Sequence, residues 1–444
     1  MLRFIFSLTI ILSVLNPLAA QKIISTIKLS PNPIKNLQGF RSGDTLFVSY
    51  FEGKELGKDI IKAFHVFPNG ETKKVELKDI PITIFCGFEN SIDGFYDYYF
   101  ERKKKDEIAL RALFVDKLHG SQQILKDKIS INNKIIGVFN ENGILVITRN
   151  ELKNSILVYR IKKLQKISVE EYLLPDKFSY VASHEFQLIP SAAGWIYETN
   201  SKAKIYLKNE TLFLTRDHQS GTEVMVLDPN NSNPKATFIP EPIDPNCNSF
   251  LCDSLLFRLS LNKNDFSIKV YKIKDGTLIQ KKSFSMDDAN DDTQVYFYSG
   301  FDHETSHIDK TPRIINSKQP SIVVHKISST KYAITLGSIY YSKAEGDNSP
   351  AESGVLPKLY YALYAAIDPL HDIISSYYIN CIYESGAFDF RIDPRNINKR
   401  IDHLNIMMKS KVKFEDILVT NLNSGFIIAR NLRSNSLEII KVPE

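Results

Sequence analysis

The chain has 444 residues, of which 43% are hydrophobic and 24% charged, and its formal net charge is +5. Its 56 basic and 51 acidic residues nearly balance, so the composition gives no electrostatic case for a nucleic-acid partner. The length is ample for a large hydrophobic core. Two or three domains would be usual at this length, but repeat folds and large β folds can form one domain.

The first twenty residues have the layout of a secretory signal peptide. Arg3 gives a basic start, Phe4–Leu15 is an apolar run, and small residues end the segment at Ala20. The run is short for crossing a hydrocarbon core of ~30 Å, which disfavours a membrane anchor. We therefore expect residues 1–20 to be removed and the remaining chain to be exported, to a periplasmic, cell-surface or extracellular location, without a transmembrane segment.

The stretch Thr211–Leu227 shows the pattern that recurs along the chain. Leu212–Thr215 and Val224–Leu227 read as two strands separated by the polar turn Asp217–Gly221. Both runs are nearly continuous in apolar residues, which predicts strands that are buried on both faces. The Val and Phe content favours strands over a buried helix, and so do the Gly, Pro and Asp residues at the ends of the runs.

Helix signals are few. Asn398–Lys409 places Ile401, Leu404 and Met408 on one helical face, and Lys358–Ala366 is ambiguous between helix and strand. The sequence therefore predicts an all-β fold.

Seven strand-rich units, each with up to four strands and spaced by roughly 40 to 90 residues, resemble the blades of a β-propeller. The resemblance is architectural, since the chain has no WD or kelch motif. It implies one seven-bladed domain over residues 21–444, with insertions at about 286–320 and 381–413. Lys22–Leu29 should pair with Ser436–Val442 and close the ring, because each segment otherwise lacks a partner. Tandem β-sandwiches are the alternative.

The segment His303-Glu304-Thr305-Ser306-His307 matches the H-E-x-x-H motif. On a helix, this spacing lets two histidines bind zinc while the glutamate activates water. The stretch between Gly300 and Pro312 is short and polar, however, and no third-ligand motif follows. We expect a surface loop without catalytic zinc, and a zinc-dependent hydrolase using His303, Glu304 and His307 is the alternative.

A second acidic stretch resembles part of a calcium-binding loop. Asp288, Asn290 and Asp292 match ligand positions 1, 3 and 5, but Thr293 and Ser299 stand where glycine and glutamate are required. A solvated turn fits these residues better. No cofactor is therefore expected, and zinc and calcium are the alternatives.

The four cysteines are Cys86, Cys247, Cys252 and Cys381. An even count in an exported chain permits disulfides. Cys247 and Cys252 bracket the short stretch Asn248–Leu251, which reads as a loop that a local disulfide could close. Buried free thiols are the alternative.

Several further features have a structural explanation. The aromatic cluster Phe95–Phe100 fits strand packing better than ligand stacking, and Trp195 fits a core position. Asn209-Glu210-Thr211 and Asn230-Asn231-Ser232 are glycosylation sequons, which have meaning only in a eukaryotic source.

The sequence thus favours an exported, non-catalytic protein. Binding of a protein or glycan through loops, or assembly into the cell envelope, are the expected roles.

Overall fold

The structure is a computed structural model. It describes residues 22–30, 34–55, 58–75, 84–104, 107–131, 133–140, 143–174, 186–189, 199–244, 246–261, 265–285, 295–299, 302–306, 320–342, 373–390, 414–419, 426–431 and 433–441. The signal segment 1–20, both helix candidates and Trp195 lie outside these residues. Every regular element of the described part is a β-strand, which confirms the all-β prediction.

The chain divides into two compact units, residues 1–80 with 410–444, and residues 81–409. The first unit begins with β1 (Lys22–Lys28), β2 (Ile34–Ser42), β3 (Thr45–Glu55), β4 (Lys58–Val66) and β5 (Thr72–Val75). The second unit contains β6 (Ile84–Asn90), β7 (Gly94–Lys104), β8 (Glu107–Asp116), β9 (Gln122–Ile124), β10 (Ile129–Ile131), β11 (Lys134–Asn140), β12 (Ile144–Asn150), β13 (Ser155–Lys162), β14 (Gln165–Leu173), β15 (Phe186–Ile189), β16 (Ala203–Lys208), β17 (Thr211–His218), β18 (Gly221–Asp228), β19 (Asn231–Pro240), β20 (Cys247–Cys252), β21 (Leu255–Leu261), β22 (Asp265–Lys272), β23 (Leu278–Ser285), β24 (Val295–Ser299), β25 (Asp302–Ser306), β26 (Pro320–Lys326), β27 (Lys331–Ser342), β28 (Ile373–Glu384) and β29 (Ala387–Asp389). The C-terminal part of the first unit contains β30 (Phe414–Val419), β31 (Phe426–Asn431) and β32 (Ser436–Lys441).

The first unit is built from two four-stranded sheets, β1-β32-β31-β30 and β2-β3-β4-β5. β1 pairs antiparallel with β32, from Lys22 opposite Lys441 to Lys28 opposite Ser436. The predicted pairing of the two chain ends is therefore confirmed. Both sheets contribute to one buried apolar cluster, in which Ile27 of β1 packs with residues of β3, β31 and β32.

Within its described residues, the second unit has five sheets. Two follow the chain as simple antiparallel meanders, β11-β12-β13-β14 and β20-β21-β22-β23. The other three carry additions that the sequence pattern does not predict. β9 and β10 join β8, β15 adds to β16 in parallel, and β24, with β25 beside it, pairs with β28.

The predicted hairpin is present as β17 and β18, with Leu212 opposite Leu227. Adjacent residues of β18 enter different apolar clusters, since Val224 packs toward β20–β22 and β26 while Met225 packs toward β11–β13. Both faces of this sheet are thus covered, as the continuous apolar runs indicate. Each sheet of the second unit shares an apolar cluster with the sheet that follows it in the chain.

The aromatic cluster Phe95–Phe100 lies in β7, and Tyr98 and Tyr99 are almost completely buried. Tyr96 contacts Phe114 of β8 with 5.0 Å between the ring centroids. The strand-packing explanation of this cluster is confirmed. Among the described residues we find no helix of the length and apolar character that a membrane crossing requires.

Candidate functional site

Charged side chains lie in the interior of the second unit, where the sheet of β15–β19 meets the sheet of β20–β23. We call Lys204, Asp217, Thr222, Asn248 and Arg258 the Lys204 cluster. The side chains of Lys204, Asp217 and Arg258 have no solvent exposure. Buried charges need partners, so the contacts of this cluster decide what it can do.

Asp217, near the end of β17, is the centre of the cluster. Its Oδ1 accepts a 2.7 Å hydrogen bond from Thr222 Oγ1 and lies 3.8 Å from Arg258 Nη1. Its Oδ2 accepts a 2.8 Å hydrogen bond from the backbone N–H of Ser249 and lies 3.9 Å from Lys204 Nζ. One carboxylate therefore joins strands of two sheets.

The two cations have further partners. Lys204 Nζ donates to Asn248 Oδ1 at 3.0 Å, and Arg258 Nη1 donates to Thr222 Oγ1 at 2.6 Å. Asn248 Nδ2 in turn donates to the carbonyl oxygen of Asn200 at 3.1 Å. Burial lowers the pKa of Lys204 to about 8, and the nearby Asp217 carboxylate opposes this shift.

Sequence reasoning missed this cluster, although a signal was present. Lys204 stands inside the buried run Ala203–Tyr206, and Arg258 stands inside Leu255–Leu261. A lone charge within a continuous apolar strand must be paired with another charge or a polar group, because an isolated buried charge is very costly. Asn248 lies 44 residues from Lys204, and Thr222 lies 36 residues from Arg258, so the local sequence cannot identify these partners.

A buried lysine whose pKa is lowered has the chemistry of a base or nucleophile. Here the amine is closed off from solvent and already bonded to Asn248, so a substrate cannot reach it. His218, at the margin of the cluster, lies 2.9 Å from Glu223 with its side chain 29% exposed. The adjacent Cys247 donates to the backbone oxygen of His218 rather than to its ring. The cluster therefore links the β15–β19 sheet to the β20–β23 sheet.

The lowered pKa of Lys204 predicts a pH dependence of stability. The ordinary lysine pKa is 10.5 and the folded-state value is about 8, so between these values the unfolded chain binds more protons. The contribution of Lys204 to the free energy of unfolding should therefore rise with pH across this window. Urea unfolding of the wild type and Lys204→Met at several pH values checks this. The wild type should gain stability relative to the variant from pH 8 to 10.5, and a constant difference would contradict it.

The residues of the H-E-x-x-H segment fall partly within the described residues. His303 and Glu304 lie in β25, which pairs antiparallel with β24, and His307 lies outside the described residues. The zinc motif requires the 3.6-residue repeat of a helix, whereas Asp302–Ser306 is extended. The acidic residues Asp288, Asn290 and Asp292 also lie outside the described residues.

We expect the protein to bind no catalytic zinc through His303, Glu304 and His307, because an extended backbone does not present the helical spacing. After dialysis, metal analysis should find well under one zinc per chain, and a chelator should leave the melting temperature unchanged. Glu304→Gln should behave as the wild type in both measurements. Stoichiometric zinc together with a peptidase activity that Glu304→Gln abolishes would contradict this prediction.

All four cysteines are free thiols, and Cys86, Cys247 and Cys381 are buried. The stretch between Cys247 and Cys252 is a strand and not a loop, since β20 pairs with β21 along its whole length. An extended strand places Cys247 and Cys252 about 16 Å apart, whereas a disulfide requires Cα atoms within roughly 4.4–6.8 Å. The local disulfide suggested by the short spacing is therefore not formed.

Alkylation with a thiol reagent should show directly how many cysteines are free thiols. In denaturant without reductant, all four cysteines should react, because none is engaged in a disulfide. In the native protein the reaction should be slow, since burial raises the pKa of Cys247 to about 11 and that of Cys252 to about 12. Intact mass gives the number of adducts. Fewer than four adducts in denaturant would demonstrate a disulfide.

No protein-family model matches the chain, and no curated protein matches it. Solved structures that resemble it include a putative 6-phosphogluconolactonase from Bacteroides uniformis, at 12% identity and a TM-score of 0.32, covering 90% of this chain and 93% of that chain. Prolyl oligopeptidase B from Galerina marginata has 10% identity and a TM-score of 0.35, covering 90% and 56%. A neuraminidase-like protein of A/flat-faced bat/Peru has 8% identity and a TM-score of 0.31, covering 83% and 91%. Likenesses this weak transfer no activity to this chain.

Proposed function

We propose that the chain is an exported, non-catalytic protein that binds a protein or a glycan, or assembles into the cell envelope. The observation that carries the proposal is the closed Lys204 cluster. Its charged groups have their partners within the protein and no exposed surface, so they rigidify the sheets instead of meeting a substrate. A rigid scaffold that presents loops is the arrangement by which many β proteins bind partners.

The sheet organisation supports a propeller-type scaffold. Meanders of four antiparallel strands are the repeat unit of propeller blades. In the second unit, each such sheet packs against the next one along the chain. In the first unit, the N-terminal strand completes the C-terminal sheet, a device that leaves fewer unpaired edges.

The turn between β17 and β18 is the part of this scaffold that we assign to binding. Gln219 and Ser220 are exposed at its tip, two and three residues after Asp217 of the Lys204 cluster. Their backbone oxygens accept 2.8 Å hydrogen bonds from the N–H groups of Asp244 and Glu241. We call this turn, with residues 241–244, the cluster edge. The cluster edge has exposed polar side chains on a backbone that these hydrogen bonds hold in place, and this lowers the entropic cost of binding.

Capture of a partner tests the proposal. Immobilised residues 21–444 are exposed to cell-surface extract of the source organism and to a glycan array. Gln219→Arg combined with Ser220→Arg should weaken capture about tenfold or more, because bulky charges would occupy the contact surface. Lys126→Glu, at an exposed position between β9 and β10 in a different sheet, is the control and should bind as the wild type. Equal loss in both variants, or no saturable partner at all, would refute the assignment.

Export is tested separately by N-terminal sequencing of secreted protein, which should begin at Gln21 because residues 1–20 have the layout of a signal peptide.

A further inference from the structure

Two hairpin turns of the β15–β19 sheet carry the glycosylation sequons that the sequence contains. Asn209 lies in the turn between β16 and β17, and Asn230 lies in the turn between β18 and β19. Leu212 pairs with Leu227, so the start of β17 lies beside the end of β18. The turn that precedes β17 and the turn that follows β18 therefore lie at the same edge of the sheet. From the spacing of neighbouring strands, the two asparagines are roughly 10 Å apart.

The backbone of the first turn suits an exposed asparagine. Asn209 and Glu210 have φ values of +48° and +65°, which is the conformation of a two-residue type I′ hairpin turn. Both residues are exposed, and so is Lys208 before them, while Ala203–Tyr206 further back in β16 are buried. Lys208 forms a 2.6 Å ion pair with Asp253, and Arg160 donates to the Glu210 carbonyl oxygen at 2.7 Å. The turn is therefore fixed in place with its asparagine facing solvent.

The second turn presents Asn230 in a similar way. Pro229 and Asn230 connect the paired residues Asp228 and Asn231, and Asn230 is exposed. Asn230 Nδ2 donates to Asp228 Oδ1 at 3.2 Å. A glycosylated amide nitrogen keeps one hydrogen, so this hydrogen bond is compatible with an attached sugar.

We propose that Asn209 and Asn230 are both N-glycosylated, which places two glycans on one edge of the β15–β19 sheet. In the transfer, Asn Nδ2 attacks the anomeric carbon of a lipid-linked oligosaccharide diphosphate. The new N–C bond replaces the C–O bond to the diphosphate, which leaves as the lipid diphosphate, and the amide nitrogen loses a proton. Both turns lie opposite the cluster edge, so the sugars leave Gln219 and Ser220 uncovered. The inference rests on the export proposed above and on export through a eukaryotic secretory pathway, the setting in which these sequons are acceptors.

Secretion from cultured mammalian cells tests the inference. The full chain is expressed with its own residues 1–20. In parallel, residues 21–444 are expressed behind the leader of a protein that these cells already secrete. Glycans are scored by intact mass before and after peptide N-glycosidase treatment, on secreted and on cell-associated chain alike. We expect two removable glycans on the wild type, one on each of Asn209→Gln and Asn230→Gln, and none on the double variant. Asn69→Gln, at an exposed turn outside any sequon, should keep both.

The outcomes separate this inference from the export proposal. Glycans that form only behind the foreign leader would overturn export through residues 1–20 and support the acceptor sites. Chain that is secreted without glycans, behind either leader, would overturn the inference while export stands. Glycans that remain on the double variant would show that other residues are the acceptors, and would also overturn it.

Discussion

Asp217→Ala should lower the free energy of unfolding by about 3–5 kcal/mol, the cost of removing one partner from a buried ion pair. The carboxylate is the only acidic group that the Lys204 cluster contains, and it faces both Arg258 and Lys204. Its removal also leaves the buried N–H of Ser249 without its acceptor. Urea unfolding, followed by far-ultraviolet circular dichroism, measures the change.

Two further variants provide the comparisons for this result. Asp127→Ala, at an exposed position, should change the free energy of unfolding by no more than about 0.5 kcal/mol. Lys204→Met should cost less than Asp217→Ala, because it removes a buried cation while Asp217 keeps Arg258 as its partner. If Asp217→Ala were as stable as Asp127→Ala, the cluster would not join the two sheets.

Deleting residues 21–30 should destabilise the whole first unit instead of trimming a loose end. The deletion removes all of β1, exposes the edge of β32, and removes Ile27 from the apolar cluster that the two sheets share. Truncated protein should therefore unfold at a clearly lower temperature. A melting temperature equal to that of residues 21–444 would show that β1 contributes nothing.

A matched pair of point substitutions in β1 refines the test. Ile27→Ala should cost about 2–4 kcal/mol, as expected for a large-to-small change in a core. Ile23→Ala changes the same side chain in the same strand, but Ile23 is 49% exposed whereas Ile27 is 5% exposed. Its cost should be well under half as large. Equal costs for the two variants would mean that β1 does not pack as described.

The sequence by itself determined where many strands lie and which of them are buried. The continuous apolar runs of Leu212–Thr215 and Val224–Leu227 predicted a hairpin covered on both faces, because a strand exposes alternate residues to opposite sides. The strand signals at the two chain ends predicted the pairing of β1 with β32 by a simple argument about unpaired edges. These features depend on local periodicity and on the general need to satisfy backbone hydrogen bonds.

Two short strands carry no such local signal. Asp302–Ser306 has no apolar periodicity, yet it forms β25 because β24 supplies a partner edge. The spacing of Cys247 and Cys252 predicts a loop, but pairing with β21 holds the segment extended and separates the thiols. In both segments, backbone hydrogen bonding to a neighbouring strand decides the conformation, and that neighbour is chosen by the tertiary structure.

Only the tertiary structure assembled the Lys204 cluster. The sequence places Lys204, Asp217 and Arg258 on three different strands, and nothing local indicates that they meet. Stacking of the β15–β19 sheet against the β20–β23 sheet brings them together, and their complete burial makes each charge depend on the others. Strand register within the β15–β19 sheet puts the sequons on the opposite edge from the cluster, a relation that the motifs themselves do not show.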